Sequence, residues 1–328
     1  MGATTRVLTA DRGDAGRRLD LVLRRHLTDV AAATRTRVQA SIEDGHVTVN
    51  GTPVRRAAAR TALGDIVTIL LPHATPRPKM AAEDVGLEVL CEDEHLLAID
   101  KPPDMVVHPG YRNAQGTLMN ALLWHARAWP PAQRPSLVGR LDKLTSGIVV
   151  VAKTAAVHAA LQRAMTSSDG EKDYLAVVYG RVNVARGQID LRLGKTRGDR
   201  RRVVASVDVG APSRTRFERL ARVAAPKVGL SLLRCRLATG RTHQIRVHLA
   251  ARGWPLVGDA TYGEPCWQQI VDPALAAVLR TFPRQALHAW RVGFTHPVTR
   301  ERVRIDAPVP SDIEALLAAC GLRVPGVA

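Results

Sequence analysis

From Arg18 onward, apolar positions recur at helical spacing: Leu19, Val22, Leu23 and Leu27, with Arg17, Arg18, Arg24 and Arg25 around them. The pattern predicts a second short helix over Thr34 to Glu43, with Thr34 as its cap and Gly45 just past its end. The period then changes. His46-Val47-Thr48-Val49 alternates as a strand does and runs into Asn50-Gly51, a strong tight-turn signal. Gly64-Asp65 gives another turn before the strand Ile66 to Leu71. Residues 1–16 carry no such pattern and are predicted to form a loose leader.

The proline-spaced stretch Pro72-His73-Ala74-Thr75-Pro76-Arg77-Pro78 reads as a linker. This predicts a small domain over 17–72, a linker over 73–82 and a larger domain over 83–325. In the larger part, Glu88 to Glu92 and Leu96 to Ile99 flank Asp93-Glu94 like a hairpin. Ile148 to Ala152, Lys172 to Tyr179, Gly229 to Leu237 and Leu287 to Phe294 read as strands, and Thr154 to Met165 as a capped amphipathic helix. Ser311-Asp312-Ile313-Glu314 matches a capping box before a terminal helix. Strands and helices without regular alternation predict an α+β domain around a mixed, largely antiparallel sheet with flanking helices. The small domain reads as a compact α/β unit.

Charge narrows the partner. Of 328 residues, 47 are Lys or Arg and 30 are Asp or Glu, a net charge of +17. Such an excess favours a polyanion, because each phosphate neutralised releases condensed counterions. Nine basic residues crowd between Arg192 and Arg219: Arg192, Lys195, Arg197, Arg200, Arg201, Arg202, Arg214, Arg216 and Arg219. They predict a nucleic-acid-facing arm. Four widely spaced cysteines, no signal-peptide pattern and no run near the roughly 18 apolar residues of a membrane span predict a cytoplasmic protein with free thiols.

Several chemistries lack their motifs. The sequence has no GxGxxG after a strand, no GxxxxGK[ST], no HExxH and no paired-cysteine array. A reaction without redox, phosphoryl transfer or metal-activated water fits these absences, so no cofactor and no metal are expected. Three segments stand out. Gly139-Arg140-Leu141-Asp142-Lys143-Leu144-Thr145-Ser146-Gly147 places a carboxylate in a turn of small residues before an apolar strand. Taken alone, Asp142 also reads as a turn cap. Lys172-Asp173-Tyr174-Leu175-Ala176-Val177 sets a tyrosine on a strand; alone, it is equally a packed Tyr with a satisfied hydroxyl. Thr239-Gly240-Arg241-Thr242-His243-Gln244-Ile245-Arg246-Val247-His248 bends at Gly240, and Thr242 is positioned to cap a helix that Gly253 ends. Its two histidines read as hydrogen-bonded structural residues rather than metal ligands, since no third ligand accompanies them.

In this order the three segments resemble the signature motifs of the RluA-type pseudouridine synthases, HRLDxxTSG, KxYxAxVxG and GRTHQIRVHL. Ile99-Asp100-Lys101-Pro102-Pro103, Leu256-Val257-Gly258-Asp259 with Tyr262-Gly263, and Leu287-His288-Ala289 extend the similarity over about residues 85–310. The amino-terminal unit resembles the small RNA-binding domain first seen in a small-subunit ribosomal protein, a pairing typical of the RluD-like branch. Gly139 departs from the usual His, and Asp104 from the usual Gly. The resemblance implies isomerisation of uridine to pseudouridine in structured RNA, ribosomal rather than transfer RNA, without cofactor; the oligomeric state is not readable, with a monomer favoured. It implies Asp142 as the catalytic carboxylate and Tyr174 as the residue that stacks on uracil and helps remove the proton at carbon five. Arg241 is implied as the cation that holds Asp142, and Arg140 as a contact for the flipped nucleotide. Arg18, Arg35 and Arg37 of the basic helices are the further RNA-contact candidates. A non-catalytic RNA-binding factor on the same scaffold is the alternative.

Overall fold

The computed structural model describes residues 4–30, 33–71, 80–110, 113–196, 202–223, 228–263 and 266–325. Most of the proline-spaced linker, and Arg197, Arg200 and Arg201 of the basic segment, lie outside the described residues. By its internal contacts the chain forms two compact units, Met1–Met80 and Ala81–Ala328.

In the first unit, β1 (Thr4–Thr9), α1 (Leu19–His26), α2 (Arg35–Glu43), β2 (Val47–Val49), β3 (Thr52–Pro53) and β4 (Ile66–Leu71) follow one another. The strands form an antiparallel sheet in the order β1-β4-β2-β3. Helices this short are marginal alone, so burial of their apolar stripes holds them. Leu19 and Leu23 of the first helix, with Leu27 just past its end, meet Val38 and Ile42 of the second over Val47, Val67 and Ile69. Asn50 and Gly51 both have positive φ, 51° and 81°, which the tight β2–β3 turn requires. The expectation of a loose leader is corrected here: residues 4–9 pair along the whole of β4. Their partner strand lies some sixty residues away, so no local pattern announces the pairing.

The second unit begins with β5 (Glu88–Glu92), β6 (Leu96–Lys101), α3 (Leu118–His125), β7 (Ser136–Leu137), β8 (Ser146–Ala152) and α4 (Ala155–Thr166). Then come β9 (Glu171–Tyr179), β10 (Arg186–Lys195), β11 (Val203–Ser206), β12 (Ala211–Val223), β13 (Leu230–Leu237) and α5 (Gln244–Ala251). It closes with α6 (Pro273–Thr281), β14 (Leu287–Thr295), β15 (Arg302–Asp306) and α7 (Ser311–Ala319). Eleven strands form one sheet whose path runs β11-β10-β12-β13-β9-β14-β8-β6-β5. Its one parallel contact among the described residues, Ser146 and Gly147 against His288 and Ala289, joins β8 to β14. The fold is α+β and largely antiparallel, as the pattern predicts.

That parallel contact is tight. Gly147 sits at φ 111°, and a Cβ there would lie 2.3 Å from the Ala289 carbonyl oxygen. Only glycine lets the strand after Asp142 run against β14. Thr154 caps α4 by accepting the Val157 N–H. The expected capping box of α7 does not form. Ser311 lies inside the helix and Pro310 holds the cap position, while the Asp312 carboxylate instead receives Arg284 Nε and Nη2 at 2.6 and 2.8 Å. The basic segment is also less free than its composition predicts. Most of its described residues lie in strands β10 to β12, where Arg214 pairs with Asp190 and Arg219 donates to the Val182 and Asn183 carbonyls.

Candidate active site

Asp142 projects from the turn between β7 and β8, and its carbonyl accepts the Thr145 N–H at 3.0 Å. Buried cations anchor that turn from behind. Lys101, with no exposed surface, donates Nζ to the carbonyls of Pro102, Met105 and Lys143 at 2.6, 3.1 and 3.2 Å. Burial, helped by the nearby Arg284 charge, pushes its ammonium down to about 8. Arg284 donates to the Leu144 carbonyl at 3.3 Å and Gln285 to the Thr145 hydroxyl at 3.0 Å. Ser146 meets buried His288 Nδ1 at 3.0 Å, and burial pushes that imidazole down to about 4. The carboxylate therefore stands on a turn whose backbone is fixed at several successive residues.

The cation that meets Asp142 is Arg246, from within α5, with Nη1 3.0 Å from Oδ2. The same guanidinium forks onto Asp259, Nε to Oδ2 at 2.7 Å and Nη2 to Oδ1 at 2.8 Å. Asp259 in turn accepts the N–H groups of Thr261 and Tyr262 at 2.9 and 3.1 Å. A planar fork with one arm free for Asp142 is what arginine provides and lysine does not. The expected pairing of Asp142 with Arg241 is corrected by this geometry. Arg241 is exposed, lines the mouth of the same cavity and has no ion pair among the described residues. It precedes the helix, whereas Arg246 lies inside it on the face that carries buried Ile245 and Leu249.

His243, not Thr242, takes the N-cap position of α5, in the left-handed conformation at φ 55° and without a side-chain capping bond. Its Nε2 lies 3.8 Å from Asp142 Oδ2 and its Nδ1 2.8 Å from the Tyr262 hydroxyl. Burial holds this imidazole below its ordinary range. Tyr174, on β9, is flanked across the sheet by Ala289 of β14 and Cys235 of β13 and faces the same cavity as Asp142. Burial and the Asp142 charge hold its hydroxyl well above the usual phenol range. Tyr174 is thus a neutral ring suited to stacking, and a weak candidate for proton removal as a phenolate.

The cavity holds about 210 Å³ and brings together Asp142, Tyr174, Arg140, Arg241, His243 and Arg246. Arg140, Arg241 and half-buried Lys172 line it without an ion pair among the described residues. Burial lowers the Lys172 ammonium, so a phosphate brought beside it would relieve a desolvated charge. In the first unit, Arg18 is already held by Asp20 through two bonds of 2.9 and 3.0 Å, which leaves it less available to a phosphate than expected. Arg35 is exposed and Arg37 half-buried. Among the described residues, Asp11, Asp14 and His26 are spaced closely enough to hold a metal. Arg25 Nη1 already lies 2.8 and 2.7 Å from the two carboxylates, filling the position a cation would take.

Comparison with known proteins shows the family. Residues 95–251 match the family model described as RNA pseudouridylate synthase. The chain is 37% identical over 309 residues to ribosomal large subunit pseudouridine synthase D of Vibrio vulnificus, covering 94% of this chain and 92% of that one. It is 39% identical over 317 residues to the protein of that name from Nitrosomonas europaea, covering 95% and 87%. A solved structure, human RNA pseudouridylate synthase domain containing 1, superposes with a TM-score of 0.54 at 25% identity, over 72% of this chain and 89% of that chain. Fold, cavity and relatives define an RNA-modifying isomerase. The chain belongs to the RNA pseudouridylate synthase family.

Proposed function

We propose that this enzyme converts uridine to pseudouridine in large-subunit ribosomal RNA, with Asp142 as its catalytic carboxylate. The observation that carries the reading is Asp142 itself: a carboxylate at a cavity floor, oriented by Arg246 and facing Tyr174. The names of the relatives support the ribosomal substrate. In the reaction the bond from N1 of uracil to C1′ breaks, the base turns and C5 joins C1′. N1 gains a proton and C5 loses one, so the product is an isomer.

Asp142 acts at the glycosidic step, on either the base or the ribose. Arg246 holds one carboxylate oxygen and so fixes which way the other points. Tyr174 stacks on the extracted base. Arg140, Arg241 and Lys172 take the phosphates of a strand distorted to release that base. The first unit serves as an RNA-binding domain of the ribosomal-protein type. It supplies affinity and site choice through exposed basic residues such as Arg35, and a fragment starting near Ala81 keeps the chemistry on a short RNA at high concentration. The enzyme works as a single chain in the cytoplasm.

The test is a map of pseudouridine in cellular RNA with and without the gene. Specific positions in large-subunit ribosomal RNA should revert to uridine. An unchanged ribosomal map with pseudouridine lost from transfer RNA would overturn the substrate assignment.

A further inference from the structure

Tyr262 stands where two structures meet, and nothing in the mechanism above uses it. Its hydroxyl accepts the backbone N–H of Val203, the first residue of β11, at 3.0 Å. The same hydroxyl lies 2.8 Å from His243 Nδ1, and the other nitrogen of that ring faces Asp142 at 3.8 Å. The Arg246 guanidinium lies over the Tyr262 ring, 5.0 Å from its centre. The ring also packs beside a small apolar cluster of Leu193 from β10, Val203 and Ala205 from β11, and Val247 from α5. One side chain therefore touches the β10–β11 hairpin, His243 and the arginine that holds the catalytic carboxylate. That hairpin carries exposed Arg192, Lys195 and Arg202, none ion-paired among the described residues.

We propose that Tyr262 is a positioning residue that couples RNA engagement by the β10–β11 hairpin to the setting of Asp142. This rests on Asp142 being the catalytic carboxylate. The hydroxyl already accepts from Val203, and the proposal assigns its own proton to His243 Nδ1. That donation fixes the imidazole as its Nε2–H tautomer, with the N–H toward Asp142. The charged groups around the imidazole are Asp142, Arg246, Asp259 and Arg140. A phosphate drawn onto the hairpin shifts β11, and Val203 passes the shift to Tyr262, His243 and Arg246. The gain is a carboxylate set for reaction when the strand is in place.

The test is a double-mutant cycle with an unmodified large-subunit ribosomal RNA transcript carrying tritium at uridine carbon five. Tyr262→Phe removes the hydroxyl alone. It should lower single-turnover release about tenfold, the equivalent of one hydrogen bond, with RNA affinity unchanged. Replacing Arg192, Lys195 and Arg202 by Ala should weaken RNA binding in both backgrounds. It should slow the bound-state step in wild type only, because in Tyr262→Phe the link is already cut. Ring-nitrogen NMR should show His243 losing its single tautomer and taking a proton at higher pH in Tyr262→Phe. Independent, multiplicative effects on the bound-state rate, or an unchanged His243 titration, would overturn the coupling. If Tyr262→Phe does not fold, His243→Asn cuts the same chain on its other side and the cycle is read identically. Turnover by Asp142→Asn would sink the underlying assignment, whereas loss of the coupling alone leaves that assignment standing.

Discussion

Two groups of arginines show how differently charge is used in this molecule. In strands β10 to β12 guanidinium groups sit at the surface, and Arg214 finds its partner on an adjacent strand. Arg214 and Asp190, for instance, are each about half exposed, at 51% and 49%. Such pairs contribute little to stability and are screened by salt, which leaves them free to exchange a carboxylate for a phosphate. At the Asp142 turn, Arg246 is 8% exposed, holds two carboxylates and lies 104 residues from one of them. Removing one member there strands a buried charge. On the proposed reading the surface arginines tune RNA affinity, and the buried one orients Asp142.

The largest effect that can break this comparison comes from Arg246→Met. Asp259 and Asp142 would be left without their cation, with a stability loss on the order of 3–5 kcal/mol. Turnover should fall on the order of a hundredfold or more in the fraction that folds. Arg241→Met should leave stability unchanged and act mainly on RNA affinity. Urea unfolding and single-turnover kinetics separate the two, and equal effects from both arginines would remove the distinction.

Next in size is His288, buried against Ser146 behind the catalytic turn. Its imidazole is held at about 4 against an ordinary 6.5. Above pH 6.5 it is neutral in both folded and unfolded chains and costs nothing. As pH falls toward 4 the unfolded chain takes up the proton first, so folding loses on the order of 3 kcal/mol from this group. His288→Gln should lose less stability between pH 6.5 and 4 than wild type does, read from unfolding midpoints at both ends. Parallel curves for the two proteins would contradict the burial argument.

The smallest expected effect is at the surface of β12. Arg214→Ala should change stability by less than about 1 kcal/mol. If it meets a phosphate, the salt dependence of RNA binding should become shallower by about one counterion. A large stability loss there would mean that the surface pairs are structural.

The same contrast explains what could be read from the sequence. Local signals were legible: the Asn50-Gly51 turn, the Thr154 cap and the strand runs all depend on residues close in the chain. Asp142 and Tyr174 lie together in one cavity, which the resemblance implied and no spacing could show. The cation was misplaced by five positions. Arg241, beside a glycine in a turn, looks available, while Arg246 among Ile245, Val247 and Leu249 looks like a surface position on a helix. A signal was present. An arginine flanked by apolar residues in a short, mostly buried helix needs a buried carboxylate, and Asp259 after Leu256-Val257-Gly258 has the same character. Strand β1 was missed because its partner is distant, and the α7 cap because Asp312 is drawn to a buried arginine that only the fold brings near.

The central claim is that Asp142, set by the fold on a fixed turn, performs the isomerisation. The most direct measurement is single-turnover pseudouridine formation by Asp142→Asn, alongside its RNA affinity and unfolding midpoint. An amide nearly matches the carboxylate in shape, so folding and binding should stay close to wild type while pseudouridine formation is abolished. A well-folded Asp142→Asn enzyme that forms pseudouridine at the normal rate would contradict the account.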